Sequence, residues 1–232
     1  MDGRVTQIEE VLPGFNCAAC GQAGCNAFAE AVVSGKAQPN GCAPGKEETA
    51  KKIADILGVE VEYHEPRVAT AHCGGGTRCK DKVKYTGVPS CAQATLLAGG
   101  PKACSYGCIG LGDCSAACPT DEIKMGEDKL PKIDSKKCTA CGLCVKACPK
   151  KIIELTAKEK RFHVLCASKD NGVFVRSICQ VGCIACGLCV KNCPNQALRI
   201  EENLARMDYS KCKNFGKCAQ VCPTKAIKEL KR

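Results

Sequence analysis

The sequence predicts an α+β chain organised around cysteine: a small helical unit, then two copies of a compact two-half module, with a small linking sheet. Three observations predict it. Cysteine fills 24 of 232 positions; these cysteines recur at fixed short spacings in three blocks; and only 4% of residues are aromatic, with no Trp, so the apolar core alone is thin.

The first block holds Cys17, Cys20, Cys25 and Cys42 in the order C-x2-C-x4-C-x16-C, and no further cysteine until Cys73. That isolation defines one four-thiol site within residues 1–62. Phe28, Ala31, Val32 and Val33 give residues 26–34 a helical period ended by Gly35. Residues 47–57 form a second amphipathic helix, with Ile53, Ile56 and Leu57 on one side and Gly58 as its cap.

The second and third blocks, residues 104–155 and 183–232, repeat one pattern. Each has a Cys-Pro, a short β-like run (122–125; 197–201), a turn, a second β-like run ending in Ser-Lys, and further cysteines. Cys138, Cys141, Cys144 and Cys148 followed by Pro149 stand in C-x2-C-x2-C-x3-C-P spacing, as do Cys183, Cys186, Cys189 and Cys193. In bacterial two-cluster ferredoxins three thiolates of such a run hold one 4Fe-4S cube and the fourth ligates the other. Two ferredoxin-like modules, each with two 4Fe-4S sites, follow. The exchange predicts Cys118, Cys138, Cys141 and Cys144 for one cube, and Cys183, Cys186, Cys189 and Cys222 for another.

The partner cubes depart from the pattern. Leu111 occupies the middle cysteine position of one, and Cys104 stands upstream to replace it, giving Cys104, Cys108, Cys114 and Cys148. In the other, Phe215 occupies that position and leaves Cys193, Cys212 and Cys218. Three readings stay open there: a 3Fe-4S centre, a 4Fe-4S centre completed by Asp208 or solvent, and recruitment of Cys79.

Residues 63–103 and 156–182 link the blocks. Both open on a strand that ends in a cysteine, 67–73 and 162–166, and a second cysteine follows each. This approximate repetition predicts a further four-thiolate site from Cys73, Cys91, Cys166 and Cys179, with the two strands adjacent in one sheet and Cys79 left over. Ordinary buried thiols are the bland alternative. The total is five to six iron-sulfur clusters.

Competing classes fare worse. A disulfide scaffold would follow a signal peptide, and Met1 to Gln7 has no apolar run. Structural zinc takes paired C-x2-C units, often with histidine, whereas only 3 histidines occur. The net charge of +10 does not indicate nucleic acid, because each oxidised cube with four thiolates carries about two negative charges and roughly six would cancel the excess. Basic stretches such as 36–52 suit docking of an acidic redox partner. No dinucleotide or phosphate-loop motif occurs, so no flavin or nicotinamide site is expected, and no catalytic residue. Gly74, Gly75 and Gly76 read as a turn. His64, His72 and His163 read as structural or surface residues, with His72 placed to hydrogen-bond a ligand sulfur. Metal-ligand free energy becomes folding free energy here, so the apoprotein is expected to be largely unfolded.

Residues 2–25 (DGRVTQIEEVLPGFNCAACGQAGC), 98–114 (AGGPKACSYGCIGLGDC) and 175–186 (VRSICQVGCIAC) closely resemble the RnfB component of the Rnf electron-transport complex in its longer, clostridial-type form. The match spans essentially the whole chain; the first motif alone also resembles the corrinoid iron-sulfur protein of acetyl-CoA metabolism. The resemblance implies a component that takes electrons from reduced ferredoxin and passes them to other Rnf membrane subunits, which reduce NAD while pumping sodium ions or protons. It implies the cytoplasmic face of the membrane. Family members begin with a transmembrane helix, and this chain has no apolar stretch long enough to span a bilayer, so the resemblance implies that the N-terminal membrane helix is missing from this sequence or that the protein docks peripherally. Relatives usually carry cysteine where Phe215 stands. Two alternatives remain: a soluble polyferredoxin subunit of a cytoplasmic oxidoreductase, and a zinc-binding interaction module.

Overall fold

The computed structural model describes residues 2–62 and 65–231, so His64 lies outside the described residues. The N-terminal unit is three helices around one small core. α1 (Gly3–Val11) starts where the Asp2 carboxylate accepts the Arg4 N–H, satisfying one orphan donor. α2 spans Cys25–Val33 and α3 Lys46–Leu57, the latter closed by Gly58 at φ 66°. Ile8, Leu12, Phe28, Ala29, Val32 and Ile53 meet between them, with Cys20, Cys25 and Cys42 packed against the same cluster. The two expected helices are present; α1 adds the face that supplies Ile8 and Leu12.

Everything after residue 65 is built from two-stranded antiparallel ribbons and short helices. β1 (Arg67–Ala71) pairs with β4 (Ile153–Ala157), running from Arg67 opposite Ala157 to Ala71 opposite Ile153. Between them lie α4 (Cys91–Leu96), α5 (Asp113–Ala116), the ribbon of β2 (Ile123–Met125) with β3 (Pro131–Ile133), and α6 (Leu143–Ala147). The second module repeats this order. β5 (Phe162–Val164) pairs with β8 (Ile227–Glu229), enclosing α7 (Gly172–Ile178), α8 (Leu188–Lys191), the ribbon of β6 (Leu198–Glu201) with β7 (Leu204–Met207), and α9 (Lys217–Gln220).

The expected single linking sheet of β1 with β5 is therefore corrected. Each strand pairs instead with the last strand of its own module, because closing β1 on β4 and β5 on β8 puts apolar faces over the cysteines. Ala69, Ile123, Ile152 and Ile153 pack with Cys114 and Cys144 in the first module. Phe162, Val164, Leu198, Leu204 and Ile227 pack with Cys183, Cys189 and Cys218 in the second. The thiol-bearing loops are the core rather than a surface on it.

The segment after β1 also ties the modules together. Gly74 N–H donates to Leu165 O at 2.8 Å, Lys80 N–H to Ile178 O at 2.8 Å, and Gln180 N–H to Arg78 O at 3.2 Å. Cys79 and Cys179 face each other in an isolated β-bridge.

Candidate iron-sulfur centres

Four loops share one backbone. Each runs from a left-handed residue through a middle residue to a left-handed glycine: Gly110, Leu111, Gly112 (φ 87° and 89°); Ala140, Cys141, Gly142 (55° and 76°); Ala185, Cys186, Gly187 (52° and 74°); Asn214, Phe215, Gly216 (58° and 77°). The glycine then opens a one-turn helix whose second residue is a buried cysteine, namely Cys114, Cys144, Cys189 or Cys218. This repeated reversal brings thiols a few residues apart onto one side of the chain.

Four of the expected groups come together as neighbours. Burial pushes the Cys42 thiol up to about 11, with Cys25, Cys20 and Cys17 adding to the rise. The Cys25 N–H is held by Asn16 Oδ1 at 2.7 Å. Burial raises Cys144 to about 12, followed by the effects of Cys141, Cys138, Cys114 and Cys118, and Cys118, Cys138, Cys141 and Cys144 line one recess with Ala69, Ile123 and Leu155. Cys189 is raised to about 11 by burial and then by Cys183, Cys222 and Cys186. Cys218 is raised to about 11 by burial, with Cys212 and Cys193 beside it.

The other two groups are rearranged. The expected place of Cys91 is with Cys73, Cys166 and Cys179, but it stands with Cys108, Cys114 and Cys148. The reason is local: Asp113, first residue of α5, accepts the Cys91 N–H at 2.7 Å, the Ala92 N–H at 2.9 Å and Ser90 Oγ at 3.0 Å. This fixes the start of α4 against Leu111, where the loop lacks its own cysteine. Burial opposes the charge on Asp113, yet these donors prevail and hold its carboxyl below the usual range.

Cys104, expected with Cys108, Cys114 and Cys148, sits across the module boundary instead. Together with Cys73, Cys79, Cys166 and Cys179 it lines a recess walled by Leu165, Val175 and Ile178. Cys79, expected to be spare, is at its centre: hydrogen bonding with Cys104 and Cys179 raises the Cys79 thiol and lowers each of those two to about 6. At Gly75 a Cβ would come within 3.3 Å of Cys79 Cβ, so the bare glycine lets the loop close around that thiol. The flanks are pseudo-symmetric. Cys73 Sγ accepts the Cys108 N–H at 3.4 Å, and Cys166 accepts the Cys183 N–H. Lys102, 6% exposed, donates to Gly76 O at 3.0 Å and Cys79 O at 3.4 Å and pairs with Asp81 at 2.8 Å, pinning the loop from below.

The signal for this regrouping is present in the sequence but easily misread. Cys104-x3-Cys108 and Cys179-x3-Cys183 are the true internal correspondence, and they place Cys104 opposite Cys179. The looser likeness of Cys91 to Cys179 is misleading.

The two non-cysteine candidates have other partners. The Asp208 carboxylate accepts Ser210 N–H at 3.0 Å and Ser210 Oγ at 2.5 Å, away from the recess lined by Cys193, Cys212 and Cys218. His72 Nδ1 meets Val164 O at 2.9 Å, while its buried Nε2 has no hydrogen-bond partner and lies 3.5 Å from Glu154 Oε2. His163 is fully buried; its Nε2 faces Lys160 O at 2.8 Å and must carry the proton, so Nδ1 accepts from Tyr209 O–H at 2.7 Å.

The donor chemistry fits iron-sulfur clusters. Burial pushes the thiols of Cys42, Cys114, Cys144, Cys189 and Cys218 up, so these are neutral until a cationic metal core stabilises the thiolate. Among the described residues no three His, Cys, Asp or Glu side chains converge on a single-ion site; the thiols line recesses rather than a point. Soft sulfur ligands around such recesses define a multi-cluster iron-sulfur electron-transfer protein of the ferredoxin type.

Family comparisons sharpen that class. The family model described as "Putative Fe-S cluster" matches residues 12–44, and that of a 4Fe-4S dicluster domain matches residues 104–152 and 182–226. The chain is 46% identical over 230 residues to the B component of the proton-translocating ferredoxin:NAD(+) oxidoreductase complex of Clostridium ljungdahlii, covering 97% of this chain and 81% of that protein. It is 42% identical to the Na(+)-translocating counterpart of Acetobacterium woodii, over 97% of this chain and 68% of that one. The B component of an ion-translocating oxidoreductase complex of Methanosarcina acetivorans is 42% identical over 96% and 85% respectively. The chain belongs to the RnfB family of Rnf complex components. Cys73, Cys79, Cys91, Cys166 and Cys179 lie outside every matched domain.

Proposed function

We propose that this chain accepts low-potential electrons from reduced ferredoxin and relays them through six clusters to other Rnf subunits, for NAD reduction coupled to ion translocation. The carrying observation is the central recess, where Cys104 from one ferredoxin-like module and Cys179 from the other meet on Cys79. A cluster there joins what would otherwise be two separate pairs.

The ligand sets that support this reading are Cys17, Cys20, Cys25 and Cys42; Cys91, Cys108, Cys114 and Cys148; Cys118, Cys138, Cys141 and Cys144; Cys183, Cys186, Cys189 and Cys222; four of the five thiols Cys73, Cys79, Cys104, Cys166 and Cys179; and Cys193, Cys212 and Cys218. Bound clusters supply one-electron redox chemistry. The protein's share is to exclude water with Leu165, Val175, Ile178, Leu155 and Phe162, to donate backbone N–H groups to sulfur, and to place charge such as that of Lys102. Each of these sets the reduction potential. Basic residues suit an acidic electron donor. Among the described residues no helix is long and apolar enough to cross a membrane, and we place the chain at the cytoplasmic face through its partner subunits.

The test is an anaerobic redox titration followed by EPR, with ferredoxin as reductant. Stepwise reduction of several clusters by reduced ferredoxin supports the reading. Colourless protein with zinc and no acid-labile sulfide sinks it.

A further inference from the structure

Of the four equivalent loops, two carry a thiol at the middle position, Cys141 and Cys186, and two do not. At Leu111 the loss is offset by Cys91, delivered by α4 through Asp113. At Phe215 nothing offsets it. The recess beneath that loop is lined by Cys193, Cys212 and Cys218 and by apolar groups including Phe162, Leu198 and Met207. Asp208 is engaged with Ser210, and Cys79 lies at the central recess.

The loop nevertheless keeps its ligand-bearing shape. Asn214 accepts the Arg161 N–H through Oδ1 at 2.9 Å and donates through Nδ2 to Glu159 O at 2.9 Å, which locks its left-handed conformation. A Cβ at Gly216 would stand 2.6 Å from the Phe162 ring. Phe215 itself is 60% exposed, so its ring does not fill the core.

We infer that Cys193, Cys212 and Cys218 hold a 3Fe-4S cluster whose open corner, under Phe215, reversibly takes one divalent cation. The inference rests on the iron-sulfur reading above. The step balances: the oxidised three-iron core, all ferric, gains one electron from the low-potential donor, and the reduced core then binds ferrous iron to give a four-iron core with two ferric and two ferrous ions. No Fe–S bond breaks and no proton is needed. Three thiolates fix three irons, while the fourth iron has only sulfide and solvent, so it leaves on oxidation. The matching cube at Cys183, Cys186, Cys189 and Cys222 has four thiolates and does not exchange.

The test uses the full chain purified anaerobically. Oxidised protein is expected to show the EPR signal of a three-iron cluster, equal in spin count to the protein. Dithionite alone should remove the signal and reoxidation restore it, whereas reduction with added ferrous iron or Zn²⁺ should give uptake of one metal per chain, which oxidation with a chelator should release as the signal returns. Phe215→Cys should abolish the signal and the metal dependence while adding one iron per chain; Phe215→Ala should keep both. A Phe215→Cys protein that retains the signal overturns the inference. So does wild-type protein with cluster amounts of sulfide but no three-iron signal, whatever the variants do. Absence of acid-labile sulfide overturns the inference together with the reading beneath it.

Discussion

Asp113 shows how one side chain decides which group of thiols a distant cysteine joins. Its two oxygens take the Cys91 and Ala92 N–H groups and the Ser90 hydroxyl, the capping role usually played by a residue of the helix's own chain start. Cys91 is 23 residues from Cys114 in sequence, and no spacing rule links them; the link is this carboxylate. Asp113→Ala should therefore cost about 1–2 kcal/mol, in the range of a lost cap, and should lower iron content by roughly one cluster as Cys91 drifts from Cys108 and Cys114. Asp113→Asn should lose less, because its remaining oxygen still accepts. Iron and sulfide analysis with thermal unfolding checks both; unchanged iron in Asp113→Ala would sink the assignment. The same residue explains why the Cys91 site is hidden in the sequence: an Asp before a Cys signals nothing until α4 is seen docked on α5.

At the scale of elements, the one-turn helices and their glycines carry the design. The C-x2-C-x2-C-x3-C-P runs make these loops and the β2–β3 and β6–β7 ribbons readable, and apolar period with a closing glycine does the same for two of the first three helices, because each depends only on neighbours in sequence. The pairing of β1 with β4, and of β5 with β8, is not readable, since five- and three-residue strands far apart carry no pairing code of their own. α1 is within reach, with Asp2 as cap and Ile8 and Leu12 one turn apart. The loops yield a contrast between two glycines of nearly equal φ. Gly187→Ala meets nothing within 4 Å and should cost only the left-handed strain, about 1–2 kcal/mol. Gly216→Ala adds a 2.6 Å clash with Phe162 and should cost a further ~1–3 kcal/mol, measured by anaerobic denaturation; equal costs would mean the Phe162 ring yields freely. The β2–β3 turn gives a pH prediction. Burial opposes the Asp128 charge, but Lys132 at 2.9 Å, Leu130 N–H and Arg78 hold its carboxyl below the ordinary value. A depressed carboxylate stabilises fully above its unfolded pKa of about 4 and loses that contribution only as pH falls further. The penalty of Asp128→Asn should thus be the same at pH 5 and pH 8; a penalty that shrinks between them contradicts this.

Over the whole molecule, the clusters replace the hydrophobic core that the composition withholds. The ribbons after residue 65 are three to five residues long, too short to stand alone in water, and the side chains they cover are largely cysteines, including Cys114, Cys144, Cys183, Cys189, Cys212 and Cys218, all buried. Without metal those thiols are weakly cohesive, and the +10 formal charge is left without the negative cores that offset it. The N-terminal unit differs, since Ile8, Leu12, Phe28, Val32 and Ile53 form an apolar cluster of their own. Removing iron from the reduced, anaerobic protein with a strong chelator should therefore unfold the two modules together, because the central recess draws thiols from both, while α1, α2 and α3 keep part of their helicity. Circular dichroism and amide exchange distinguish the outcomes: protection should vanish across 67–229 and persist partly across 3–57. Independent loss of the two modules would show that the central cluster does not couple them, and retention of both would show that the clusters are passengers in a self-sufficient fold.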